Sequence, residues 1–125
     1  MLRKCTILLA LGLLLAAPAS AREYFDGTML VSPQVFVLDY QGSTLSIHTE
    51  VPYSEIITYT IVLHGANGAT ITPLFTSRDS RGNLDAKFTS EDIRKIIEVP
   101  FTELTLTGDF IDNGSFSLRG TIRVQ

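Results

Sequence analysis

Leu104-Thr105-Leu106-Thr107-Gly108-Asp109-Phe110, the turn Asp112-Asn113-Gly114, and Phe116-Ser117-Leu118-Arg119-Gly120-Thr121-Ile122-Arg123-Val124 carry the clearest two-residue alternation in the chain. Leu104, Leu106, Gly108 and Phe110 alternate with Thr105, Thr107 and Asp109. After the turn, Phe116, Leu118, Gly120, Ile122 and Val124 alternate with Ser117, Arg119, Thr121 and Arg123. Successive side chains on an extended backbone point to opposite faces, so this period predicts two half-buried strands joined as a hairpin. Gly108 and Gly120 leave gaps in the inward row, where a bulky neighbour or a bend is expected.

The same period recurs upstream. Val35 to Leu38 is a candidate strand, opened by Pro33 and closed by Gln41-Gly42-Ser43. In Thr44 to Val51, the residues Leu45, Ile47, Thr49 and Val51 share a face opposite Ser46, His48 and Glu50. Ile57, Tyr59, Ile61 and Leu63 are expected on one side of the next strand. Asn67-Gly68 then tolerates positive φ and predicts a tight turn, with Ala69 to Phe75 returning as an edge strand. Leu84 to Phe88 is a further strand. Thr28 to Val31, inside a lead-in at 22–34, is a candidate edge strand.

One helix is predicted, over about Ser90 to Ile97. Thr89 can cap its first turn, Asp92 stands at the capping-box place, and Phe88 can pack on Ile93 as a hydrophobic staple. Pro100 stops it. With Ile93, Ile96 and Ile97 inward, it reads as a crossover plugging one end of the fold. About seven strands with turns every 8 to 12 residues describe an all-β, immunoglobulin-like antiparallel sandwich over 35–125, with one short crossover helix. A small barrel is the rival; a helix between strands suits a chain passing from one sheet to another.

Arg3 and Lys4 precede the apolar run Ile7 to Ala17, and Pro18 and Ala19-Ser20-Ala21 follow. A charged start, a short apolar stretch and an A-x-A end predict a secretory signal over 1–21, cleaved after Ala21. A membrane-spanning helix needs about 20 apolar residues, more than this run supplies. The expected location is extracytoplasmic, periplasmic or secreted, with no membrane span after cleavage. Cleavage removes Cys5, the only cysteine, so the remaining domain must be held by its apolar core. Losing Arg3 and Lys4 takes the net charge from -3 to -5. An acidic surface without a basic cluster argues against nucleic-acid binding.

The segments Leu84-Asp85-Ala86-Lys87-Phe88-Thr89-Ser90-Glu91-Asp92-Ile93, Leu104-Thr105-Leu106-Thr107-Gly108, Asp112-Asn113-Gly114-Ser115-Phe116 and Thr121-Ile122-Arg123-Val124 resemble a prokaryotic Ig-like module of secreted and cell-surface proteins. Its pattern runs "DLxVKF", a short helix, "LTLTG" and "DGxxFxGxDTIRV". Val51-Pro52-Tyr53 and Ile61-Val62-Leu63 resemble its upstream segments, and the resemblance spans roughly Thr44 to Val124. It implies a non-catalytic structural, adhesion or protein-interaction role at the cell envelope, within a larger array, whereas this chain reads as free-standing. It also implies an acidic calcium-type loop before "DLxVKF". The aligned residues are Ser77, Asp79, Arg81, Gly82 and Asp85. Calcium takes six or more oxygens, several charged, and Arg81 puts a cation in the cage. The loop is therefore read as lapsed, with Arg81 or Arg78 pairing with Asp79 or Asp85 in place of an ion.

No residue pattern calls for a cofactor or a catalytic centre. His48 and Glu50 share a strand face, but a third ligand is lacking and His64 belongs to another sheet; zinc and copper sites need three or four ligands. No Gly-x-Ser-x-Gly elbow supports a nucleophile, and Glu91, Asp92 and Glu98 read as complements to a short surface helix. Asn113-Gly114-Ser115 matches a glycosylation sequon, though the hairpin turn already accounts for Asn-Gly there. The candidate binding face is the outer row Thr105, Thr107, Ser117, Arg119, Thr121 and Arg123, or the edge Ala69 to Phe75, which could accept an envelope partner's strand. The alternative is a carbohydrate- or peptide-binding module using the loop aromatics Tyr24, Phe25, Tyr40 and Tyr53.

Overall fold

A computed structural model of the chain describes residues 24–39 and 44–125. The leader, Tyr40 and the turn Gln41-Gly42-Ser43 lie outside the described residues. Among the described residues ten strands form: β1 (Tyr24–Thr28), β2 (Leu30–Ser32), β3 (Val35–Phe36), β4 (Thr44–Pro52), β5 (Ile56–His64), β6 (Thr70–Ile71), β7 (Phe75–Arg78), β8 (Asn83–Thr89), β9 (Phe101–Phe110) and β10 (Gly114–Val124). The one α-helix among the described residues, α1, spans Ser90–Arg94. The strands make two sheets, one ordered β1-β10-β9-β5-β6 with β3 also on β10, the other β2-β4-β8-β7. The fold is the all-β sandwich that the alternation predicts.

The β9–β10 hairpin pairs antiparallel from Gly114 opposite Phe110 to Arg123 opposite Phe101. Its inward residues Leu104, Leu106, Phe110, Phe116, Leu118, Ile122 and Val124 are buried with Leu45, Ile47, Val51 and Phe88 of the facing sheet. Fully burying a Leu, Ile or Phe side chain stabilises by roughly 1.5–3 kcal/mol, so this shared interior supplies the holding force that no cross-link provides. A Cβ on Gly108 would stand 2.6 Å from Cζ of Phe116, so the ring fills the gap that the glycine leaves. The turn carries its positive φ, 83°, on Asn113 rather than on Gly114.

The opening strands differ from a simple lead-in. β1 runs parallel beside Ser115–Arg119, and β3 runs parallel beside Arg123–Val124, end to end along one edge of β10. Between them the chain leaves for the other sheet, where β2 pairs with β4. It crosses over Gly120: a Cβ there would meet the Met29 carbonyl oxygen at 3.1 Å and Val31 Cγ2 at 3.2 Å.

Three expectations require correction. Tyr59 does not face inward with Ile61 and Leu63; it is 88% exposed. β5 and β9 are in register at Ile57–Asp109 and again at Val62–Thr107, so extra residues of β5 bulge out between them and invert the alternation. Ala69 to Phe75 is not one edge strand: β6 closes on β5, and β7 pairs with β8 in the other sheet. Pro73, which lacks an amide donor, lies in the crossing between them. The helix ends at Arg94, since Lys95 and Ile96 turn tightly through bonds to Asp92 and Ile93 and the Ile96 carbonyl accepts the Ala66 amide. Its start is as expected: Thr89 Oγ1 accepts the Asp92 amide at 3.1 Å, and Phe88 and Ile93 are both fully buried.

Candidate functional site

Pairing between strands far apart in sequence assembles the outer face of the larger sheet. Thr28, Arg119, Thr105, His64 and Thr70 lie side by side across β1, β10, β9, β5 and β6. The next row is Asp26, Ser117, Thr107 and Val62. On the other side Thr121 stands opposite Glu103, and Arg123 lies between Val35 and Phe101. The residues expected to form a face, Thr105, Thr107, Arg119, Thr121 and Arg123, are thus brought together on adjacent strands. His64, Thr28 and Val35 join them without any local signal, because register alone puts them there.

Two polar contacts lie on this face. His64 Nε2 and Thr107 Oγ1 share a hydrogen bond of 2.9 Å. Arg119 Nη2 lies 3.7 Å from Asp26 Oδ2, an exposed pair of the kind that contributes at most about 1 kcal/mol. The face is therefore organised mainly by the sheet beneath it.

The residues aligned with a calcium-type loop form a tight turn, whose Gly82 carbonyl also accepts the Tyr53 amide at 2.9 Å. It links β7 to β8, and Gly82 takes φ 86° at its bend. Asp79 Oδ1 accepts the amides of Arg81 at 2.8 Å and Asn83 at 2.9 Å. The Asn83 amide is the main reason its carboxyl sits below the usual carboxylate range, with the Arg81 amide and charge adding to the effect against some desolvation. Asp85 lies outside the turn on β8, where its Oδ2 is 3.4 Å from Nδ1 of His48. Arg78 lays its guanidinium 5.3 Å from the Tyr53 ring centre. The expected arginine–aspartate replacement of the ion is thus corrected: backbone amides hold Asp79, and a histidine faces Asp85. Among the described residues no group of three or more His, Cys, Asp or Glu is placed to hold a metal.

The other candidates are dispersed. His48 and His64 stand on different sheets, on β4 and β5. Glu98 accepts from Asn67 Nδ2 at 2.6 Å, and Asp92 pairs with Lys95 at 3.2 Å. Tyr53, offered as a loop aromatic, is tied by a 3.2 Å hydrogen bond between its hydroxyl and Thr76 as well as by Arg78. Among the described residues no helix is long and apolar enough to cross a membrane.

Searches against family models, curated proteins and solved structures find no match to this chain.

Proposed function

We propose that the chain is a non-catalytic, exported immunoglobulin-like domain with a structural, adhesive or protein-interaction role at the cell envelope. The observation that carries this reading is the five-strand row Thr28–Arg119–Thr105–His64–Thr70, set side by side by strand register. Hydroxyls, an imidazole and a guanidinium presented side by side on paired strands offer donors and acceptors for directional recognition. The leader over 1–21 supports an extracytoplasmic destination, and the dispersal of acids and bases among the described residues favours binding over turnover.

Cross-linking in envelope extract, followed by capture of the tagged chain, tests this. A partner is expected with the native chain and lost with Arg119→Glu/Arg123→Glu. Equal recovery with both forms would remove the face from the proposal, and recovery of nothing would sink the interaction role.

A further inference from the structure

Where the chain leaves the larger sheet, one side of the sandwich stays open. β1 continues along β10 while β2 covers β4 only as far as His48. The result is a cleft of about 540 Å³ at this open edge of the sandwich, within the range of small-ligand sites. Phe25, Met29 and Leu30 form its apolar wall, and His48, Glu50 and Arg81 its polar one. These polar groups come from β4 and from the tip of the β7–β8 turn.

The Phe25 ring is held as part of that wall. It leans across Gly27, where an added Cβ would meet its Cε2 at 3.2 Å and Cζ at 3.5 Å. The ring remains 44% exposed, so the absence of a side chain on Gly27 lets it lie along the strand with much of its surface open. Across the cleft, Asp85 engages Nδ1 of His48, which leaves Nε2 as the ring's other hydrogen-bonding position. Glu50 offers acceptors only, and Arg81 a fork of donors.

We infer that this cleft is a binding site for a pyranose sugar of one or two rings. An open aromatic surface suits a ligand with an apolar C–H face. A carboxylate, a guanidinium and an imidazole opposite suit one rimmed by hydroxyls, each both donor and acceptor. Glu50 and the negative charge of the chain, -3 overall, disfavour phosphate-bearing ligands. Another pocket, near Tyr59 and Phe75, is smaller at about 210 Å³ and has no charged group in its lining. The inference is independent of the outer-face reading, since of that row only Thr28 lines the cleft and neither the recognition argument nor the variants depend on it.

The test is a titration of the isotope-labelled chain with cellobiose, maltose, N,N′-diacetylchitobiose and digalacturonic acid, followed by amide resonances. At least one disaccharide is expected to shift Gly27, Thr28, His48 and Glu50 saturably, with a Kd of about 1 mM, ordinary for a shallow site. Phe25→Ala is expected to weaken binding by about tenfold and Glu50→Gln by about threefold or more, while Phe25→Tyr binds like the native chain. Unchanged thermal melting of the variants separates lost binding from lost fold. No shift at about 50 mM of any of the four sugars, or binding that survives Phe25→Ala undiminished, overturns the inference.

Discussion

Thr60 accepts the Asp109 amide on its hydroxyl oxygen at 2.8 Å and donates to the Ile57 carbonyl at 2.6 Å, standing in for a backbone partner where β5 swings away from β9. The facing sheet repeats the device. Where β4 and β8 lose register between His48 and Pro52, Thr49 Oγ1 donates to the Leu84 carbonyl at 3.0 Å and accepts the Val51 amide at 3.1 Å. Replacing either threonine by valine keeps the branched shape and orphans two backbone groups. Thr49 is buried, so Thr49→Val should destabilise by about 2 kcal/mol. The bulge at Thr60 is partly open to water, and Thr60→Val should cost only about 1 kcal/mol. Urea denaturation measures both, and equal losses would contradict the difference in burial.

Gly108→Ala should be worse than a routine glycine substitution. The new methyl would lie 2.6 and 2.7 Å from two ring carbons of the buried Phe116, which packs 5.6 Å from the Phe110 ring. Overpacking of this kind costs typically about 1–3 kcal/mol. Pairing Gly108→Ala with Phe116→Leu should recover part of the loss, and additive losses in the double variant would refute the steric account.

Stability should carry an acid-sensitive part from Asp79. Its folded-state carboxyl is held below the ordinary value, chiefly by the Asn83 amide. A depressed carboxylate stabilises the fold above the ordinary, unfolded-state value, and that contribution disappears as the pH falls through the depressed one. Native chain and Asp79→Ala should therefore differ most near neutral pH and converge in strong acid. Melting curves across that window check the sign.

Millimolar calcium should leave the melting temperature unchanged. The Asp79 oxygen that a cation would need already receives the amides of Arg81 and Asn83, and Asp85 faces His48. A clear upward shift would mean that the turn opens to take the ion, since a ligand bound to the native state alone must stabilise it.

Much of the fold was legible because alternation is local. The hairpin Leu104 to Val124, the inward set Leu45, Ile47, Thr49 and Val51, and the Thr89 cap each depend on residues a few places apart. Tyr59 misled because a bulge shifts the period of two without changing the residue types. Ala69 to Phe75 misled because a strand-like composition does not say which sheet will pair with it. Arg78 and Arg81 misled because formal charges suggested ion pairs where an aromatic ring and backbone amides took the contacts.

The residue pattern alone determined that the chain folds as strands with one buried face, where the helix capped by Thr89 begins, and that Asn67-Gly68 turns with positive φ. Tertiary pairing alone decided that Thr28, Arg119, Thr105, His64 and Thr70 would form one row, and that Phe25 and Glu50 would line one cleft. The reason is physical. Facing is set by the pleat within a strand, whereas neighbours are set by register and by the point at which β1 and β2 part between sheets.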